Sequence, residues 1–457
     1  MNFLDKLVIP QSLENLILLK YILTLALIIF LPFIGILLVS SCLSVFYNLA
    51  GRKKGNEYYL RFSKEIIDII AVNRSVVVVL GVVPAVTIIL TYSQLLHASK
   101  VYIEGYLLAA LIILAASVYL ILHYRYTFNL DRIIKHPGRG VVSQEANAAI
   151  VHTAESDEVM RFSEANLRSN RKSGIWGALL LLVSSYIYIS CIQMSYDIEK
   201  WSGNISVFSI IFSLKSIIKY VMFLLASTAI SSGAAMFYYF RFRSSGDDEN
   251  VYLGFIKKIS SIAGIISVAA LPVFVLLSLL MTPGNAVSVE LFVLTTVSLL
   301  LLFAVIHLYY IQAKRWSTTY SAYIFYLLIL FFAISVISDQ TAFSYSTKKQ
   351  ELTLAANYDL IVAQAKEKAG KGPAISGKDI FDGRCSACHR FDTKLVGPAY
   401  KDVLPKYEGH MDQLIAFISN PVKKNPAFPP MPNQGLKPKE VEAIADYIMK
   451  TYKSAGK

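Results

Sequence analysis

The chain has 457 residues, 55% of them hydrophobic, four cysteines and a formal net charge of +13. A mean hydropathy of +0.51 exceeds what one soluble core requires, and four cysteines are too few for a disulfide framework. The basic excess forms no stripe on a soluble fold and no disordered Lys/Arg arm, so no nucleic-acid partner is expected.

Apolar runs of 20 or more residues recur through the first three quarters, each long enough to cross a hydrocarbon core of ~30 Å at ~1.5 Å per residue. Eight spans are predicted, at approximately 20–46, 75–97, 103–124, 174–196, 219–240, 259–281, 288–312 and 318–338. Phe3 to Leu19 before the first span and Val207 to Leu214 before the fifth read as interfacial amphipathic stretches. Cys42 and Cys191 fall in apolar runs, where a cysteine serves as a small filler.

Charge sets the expected orientation. Arg52, Lys53, Lys54, Arg61, Lys64 and Arg74 follow the first span. Arg125, Arg132, Lys135, Arg139, Arg161, Arg168, Arg171 and Lys172 follow the third, Arg241, Arg243, Lys257 and Lys258 the fifth, and Lys314 and Arg315 the seventh. The alternate connections hold little beyond Lys100, Lys200 and Lys215. Positive residues stay on the cytoplasmic side, so both termini are predicted to lie outside, and much of the net charge is topological.

Ionisable residues in spans are costly and need an explanation. His97, Glu104 and Glu290 sit near outer span ends with Lys219 close in depth; they read either as interfacial side chains reaching water or as a proton or quinol site. His123 and His307 share a depth on spans three and seven. Interhelical hydrogen bonding is their expected role, and a bis-histidine haem b is not expected.

Past the last span, Lys348 to Lys368 reads as a helix with Leu352, Leu354, Ala355, Tyr358, Ile361 and Val362 on or near one face, ended by Gly370-Lys371-Gly372-Pro373. The composition then turns charged and Pro/Gly-punctuated. Three regions follow: a transmembrane helical domain at 1–340, a periplasmic helical linker at 341–372 and a small domain at 373–457.

In that last region stands Cys385-Ser386-Ala387-Cys388-His389. Two thiols two residues apart, followed directly by histidine, suit covalent haem attachment: each sulfur forms a thioether to one vinyl group and the imidazole reaches the iron. A zinc site would need two more ligands at suitable spacing, and the other cysteines lie in apolar runs. A low-spin carrier also needs a sixth ligand. Asn425-Pro426-Ala427-Phe428-Pro429-Pro430-Met431-Pro432 offers a thioether on a proline-stiffened loop. Its competitors, His410 and Met411, open a predicted amphipathic helix from Met411 to Ser419.

Over its last 85 residues or so the chain resembles class I cytochrome c. Gly377 and Phe381 look like that family's first-helix contacts, Tyr447 like their partner on the last helix, and Gly397-Pro398 like its Gly-Pro after the haem motif. The resemblance implies that the Pro398 carbonyl accepts a hydrogen bond from the axial imidazole. It also implies a periplasmic domain holding one covalent haem c through Cys385, Cys388, His389 and Met431.

The first 125 residues are similar to subunit I of the cytochrome bd family in Phe30-Leu31-Pro32, Gly35, Gly55-Asn56-Glu57-Tyr58 and Ile103-Glu104-Gly105. They depart from it where the family's haem-ligating histidine would stand, at Leu27, and no histidine occurs in the fourth to sixth spans. The expected fold class is all-α, a polytopic membrane bundle fused to a small all-α cytochrome c domain. The expected function is a non-catalytic electron-transfer subunit of a respiratory complex, embedded in the lipid bilayer. It would work with other redox membrane subunits, and a soluble periplasmic carrier would be a further exchange partner. The alternative is a cytochrome bd-like terminal oxidase subunit with the fused haem c as electron entry.

Overall fold

The computed structural model describes residues 9–70, 74–97, 99, 103–135, 154–197, 213–242, 247–314, 317–370 and 376–455. It divides into two compact units, Met1–Tyr358 and Asp359–Lys457. All regular structure among the described residues is helical.

The first unit contains α1 (Leu13–Lys54), α2 (Glu57–Ile70), α3 (Ser75–Leu95), α4 (Glu104–Lys135), α5 (Ala154–Ser195), α6 (Leu214–Phe242), α7 (Asp247–Leu280), α8 (Val289–Lys314) and the start of α9 (Thr318–Gly370). Eight of these, all but α2, contain stretches long and apolar enough to cross a membrane. They coincide with the eight predicted spans. Many outward side chains, among them Ile112, Leu300 and Phe303, are large and apolar. Such a surface suits lipid, where the helix satisfies its own backbone groups.

Several helices run longer than a span. Ser12 caps α1, its hydroxyl accepting from the Asn15 N–H at 3.3 Å, and Arg52, Lys53 and Lys54 fill its last turn, where cations meet the negative end of the helix dipole. Leu13 to Leu19, expected as part of an interfacial stretch, is the opening of this helix. Val207 to Phe212 and the first eight residues lie outside the described residues. In α3 a π turn at Val78–Val82 directly precedes Pro84, which has no N–H to give to the ladder.

The eighth span and the helix expected after it are one element. α9 is unbroken for 53 residues, because from Thr318 to Ala369 it has neither proline nor glycine and its polar half is rich in Ala, Lys, Glu and Gln, all good helix formers. Leu354 and Ala355 pack against the core of the first unit, whereas Leu352 and Ile361 are exposed.

Hydrophobic matching alone gives little specificity between helices in lipid, so polar contacts fix the packing. Asn48 donates to Asn170 Oδ1 at 2.7 Å and to the Tyr124 hydroxyl at 3.2 Å, and Asn170 donates to Thr127 Oγ1 at 2.7 Å. This buried network ties α1, α4 and α5. Ser232 donates to the Ser260 carbonyl at 2.6 Å and lies 2.9 Å from the Tyr309 hydroxyl, joining α6, α7 and α8.

Three of the ionisable residues singled out from sequence have partners on α9. The His97 carbonyl accepts from Gln350 at 2.6 Å, and Glu290 accepts from the Tyr345 hydroxyl at 2.9 Å. Lys219 pairs with Asp339 on α9, a residue just past the predicted end of the eighth span. His123 lies 2.9 Å from Ser169 Oγ, whereas His307 is exposed on α8. Leu27 is buried in the apolar core.

The second unit holds α10 (Gly377–Ile380), which continues as a π turn over Phe381–Cys385, then α11 (Tyr400–Val403), α12 (Met411–Ser419) and α13 (Pro438–Ala455). Pro438 opens α13, and Glu440 reaches back to accept from the Lys437 N–H at 2.7 Å, closing the helix start. Leu414 and Ile418 of α12, four residues apart, face Val441, Ile444, Ala445 and Ile448 in one core.

Candidate functional site

The site begins with how α10 meets α13. Ser376 caps α10, its hydroxyl accepting from the Asp379 N–H at 3.2 Å. At Gly377 a Cβ would lie 2.2 Å from the Ala443 carbonyl oxygen and 2.6 Å from Tyr447 Cβ, so only glycine permits this crossing. One turn on, the Phe381 ring packs 5.7 Å from Tyr447, 5.3 Å from Phe391 and 6.1 Å from Tyr400. These contacts hold the following turn against the core.

That turn carries the two cysteines and the histidine. Ser386 N–H bonds to the Phe381 carbonyl at 2.8 Å, and both Cys388 and His389 N–H bond to the Cys385 carbonyl, at 3.1 and 3.0 Å. Neither cysteine is in a disulfide. Cys385 is 8% exposed within the domain core. Burial first, and the neighbouring Cys388 second, push its thiol pKa up, which disfavours a reactive thiolate.

After His389 the chain folds back on itself. Gly397 N–H bonds to the Cys388 carbonyl at 2.8 Å, Tyr400 N–H to the Arg390 carbonyl and Lys401 N–H to the Phe391 carbonyl, both at 3.0 Å. This return places Pro398 O 3.2 Å from His389 Nδ1. A carbonyl can only accept, so Nδ1 carries the proton and Nε2 keeps its lone pair. Burial lowers the His389 pKa, with the Pro398 bond opposing it, and the neutral ring is the form that binds a metal. Tyr400 stacks on the imidazole at 5.0 Å with the planes 4° apart. At Gly397 a Cβ would lie 2.4 Å from His389 Cε1, so the ring position depends on a missing side chain.

A cavity of about 470 Å³ opens beside this ring. Its lining includes His389, Pro398, Tyr400, Leu414, Ile418 and Met431. The methionine loop is tied down after Met431: Asn433 donates to the Ser419 carbonyl at 3.2 Å, and Arg384 to the Gln434 carbonyl at 2.7 Å. Lys394 sits 4.7 Å over the Phe428 ring. Of the competitors for the second axial place, Met411 packs against the domain core and His410 is exposed at the start of α12; neither lines the cavity.

The residues present fit haem c. The cavity lies within the ~300–1,000 Å³ of cofactor pockets and its lining is mainly apolar. An imidazole with a free Nε2 and a thioether both line it, and two cysteines outside any disulfide stand on the turn that leads into His389. Cys385, Cys388, His389, Pro398 and Met431 were singled out from the sequence. Tyr400, Arg384 and Asn433 were not, since their roles follow from the return of the chain rather than from a spacing.

The comparisons with known proteins agree with this geometry. The cytochrome c family model matches residues 374–451. Cytochrome c-551 of Pseudomonas denitrificans is 38% identical over 79 residues, covering 16% of this chain and 95% of the relative. Cytochrome c-551 of Azotobacter vinelandii is 32% identical over 78 residues, again 16% and 95%, and cytochrome c-552 of Hydrogenobacter thermophilus is 36% identical over 69 residues, 14% and 69%. No family is identified for the membrane part. Through its C-terminal domain, which carries the covalent haem c motif on an all-α fold, the chain belongs to the cytochrome c family.

Proposed function

We propose that the protein is a membrane-bound electron-transfer subunit of a respiratory complex, with one haem c held by thioethers from Cys385 and Cys388 and by axial His389 and Met431. The observation that carries this reading is the shared cavity: the histidine of the attachment motif and Met431 line the same mainly apolar space. When bound, haem c supplies a one-electron couple, and methionine as an axial ligand raises its potential.

The chain's own residues do the positioning. Pro398 and Tyr400 fix the imidazole plane, a constraint that tunes ligand basicity as well as orientation. Arg384 and Asn433 hold the loop that presents Met431. Leu404, Leu414, Ile418 and Ile448 exclude water from the cavity, and a dry site also favours the less charged, reduced state. No residue is assigned a catalytic role.

The bilayer reading is the bacterial inner membrane, both termini and the haem domain on the periplasmic side, supported by the lysine and arginine asymmetry. Reporter fusions after Arg74, Ser173, Gly246 and Ala313 should read cytoplasmic, and fusions after Ser99, Asn204 and Pro283 periplasmic. Inversion at two adjacent loops would contradict the orientation.

Eight potential spans are more than an anchor needs, because one span of ~20 residues already holds a domain in a membrane. The excess supports assembly with other redox subunits. Gentle detergent purification should retain at least one such subunit, and the isolated chain should give a pyridine haemochrome spectrum of c-type haem alone. An isolated, monomeric chain that carries b- or d-type haem and reduces oxygen would replace this reading with the oxidase one.

A further inference from the structure

Lys219 of α6 and Asp339 of α9 form an ion pair inside the first unit, with side chains only 11% and 19% exposed. Two small cavities, about 30 and 40 Å³ in volume, share the pair in their lining. Tyr196, Lys219, Met222, Phe331, Ser335 and Asp339 line both. Size decides what they can hold. A water needs roughly 10–15 Å³ on this measure, so each takes about two or three, while an organic ligand needs a pocket of ~300 Å³ or more. A quinone ring does not fit.

The lining is polar enough for water to stay. The first cavity is bordered by the hydroxyl residues Ser278, Thr282, Thr295, Ser298 and Ser338, the second by Gln193. Hydroxyl and amide groups that border a buried space are commonly bridged by ordered water.

We propose that the membrane part contains a hydrated proton-exchange site centred on Lys219 and Asp339, whose ligands are water and a proton. Water occupies both cavities. A hydronium ion gives its proton to the Asp339 carboxylate, leaving a neutral carboxylic acid and one water, and the freed Lys219 ammonium is solvated by the cavity water. The reverse step restores the pair. The other ionisable groups around it are Tyr196 and Asp197 just after α5, Lys215 bonded to Asp197 at 3.0 Å, and Tyr92 on α3. Beyond them stands the pair of Lys20 on α1 with Glu351 on α9. α7 and α8 contribute only uncharged side chains to the two cavities.

Two measurements on the full-length holoprotein in lipid nanodiscs test the proposal. In radiolytic hydroxyl-radical footprinting, radicals arise from water at the site, so buried Tyr196 and Phe331 should be modified several-fold faster than comparably buried Tyr188 and Phe30. Equal rates would show dry cavities and overturn the hydration. In infrared titration, a protonated-carboxyl band should appear as pH falls and be absent in Asp339→Asn. Lys219→Gln should move its midpoint up by about 1–3 pH units, the effect of removing an adjacent cation. This variant carries the test by itself if Asp339→Asn does not fold. A titration unmoved by Lys219→Gln, or a band that persists in a folded Asp339→Asn, would overturn the proton site.

Discussion

The double variant Cys385→Ser, Cys388→Ser should yield a full-length chain with no covalently attached haem, seen as loss of haem staining after denaturing electrophoresis and loss of the haem increment in intact mass. Serine is nearly isosteric with cysteine but forms no thioether to a vinyl group. The effect should extend to the fold of the domain. The cavity of about 470 Å³ is walled by the same residues that make the core, including Leu404, Leu414, Ile418 and Ile448. A void of that size would cost on the order of 10 kcal/mol if it stayed open, comparable with the whole stability of a small domain. Proteolysis of the double variant should therefore cut readily between Gly377 and Ala455 while the membrane helices stay intact. A variant that retains covalent haem would contradict the attachment.

Gly377→Ala should lower the melting temperature of the haem domain by roughly 4–24 °C, followed by Soret-region circular dichroism in the full-length holoprotein. The new Cβ would lie 2.2 Å from a backbone oxygen of α13, and a backbone oxygen within a helix cannot rotate away. Overpacking of this kind costs about 1–3 kcal/mol or more, and each kcal/mol moves the midpoint of a domain this size by roughly 4–8 °C. Gly383→Ala is the control, since a Cβ there meets nothing within 4 Å. It should shift the midpoint far less. Equal shifts would mean that the α10–α13 crossing does not set the requirement.

What could be read from the sequence differs between the two units for a physical reason. In the haem domain, the proposed site is concentrated in short spacings: Cys385 to His389, Gly397-Pro398 and the proline loop around Met431. Tyr400 stayed hidden because its stacking on His389 depends on the hydrogen-bonded return from Cys388 to Lys401. In the membrane part, hydropathy marked the eight helices, since a bilayer imposes a length and an apolar composition on anything that crosses it. It could not show which polar residues meet. Lys219 was visible, but its partner Asp339 lay one residue beyond the predicted eighth span. The same boundary hid the continuity of α9, whose helix carries straight on from apolar to polar sequence.

The central claim, that Met431 completes the coordination begun by His389, is tested most directly by the ferric absorption spectrum of Met431→Ala in the full-length protein. The account predicts that the variant keeps its covalent haem but loses the weak far-red band that reports a bond from methionine sulfur to ferric iron, while Met411→Ala and His410→Ala leave that band in place. A band unchanged by Met431→Ala would contradict the account and move the ligand to another residue.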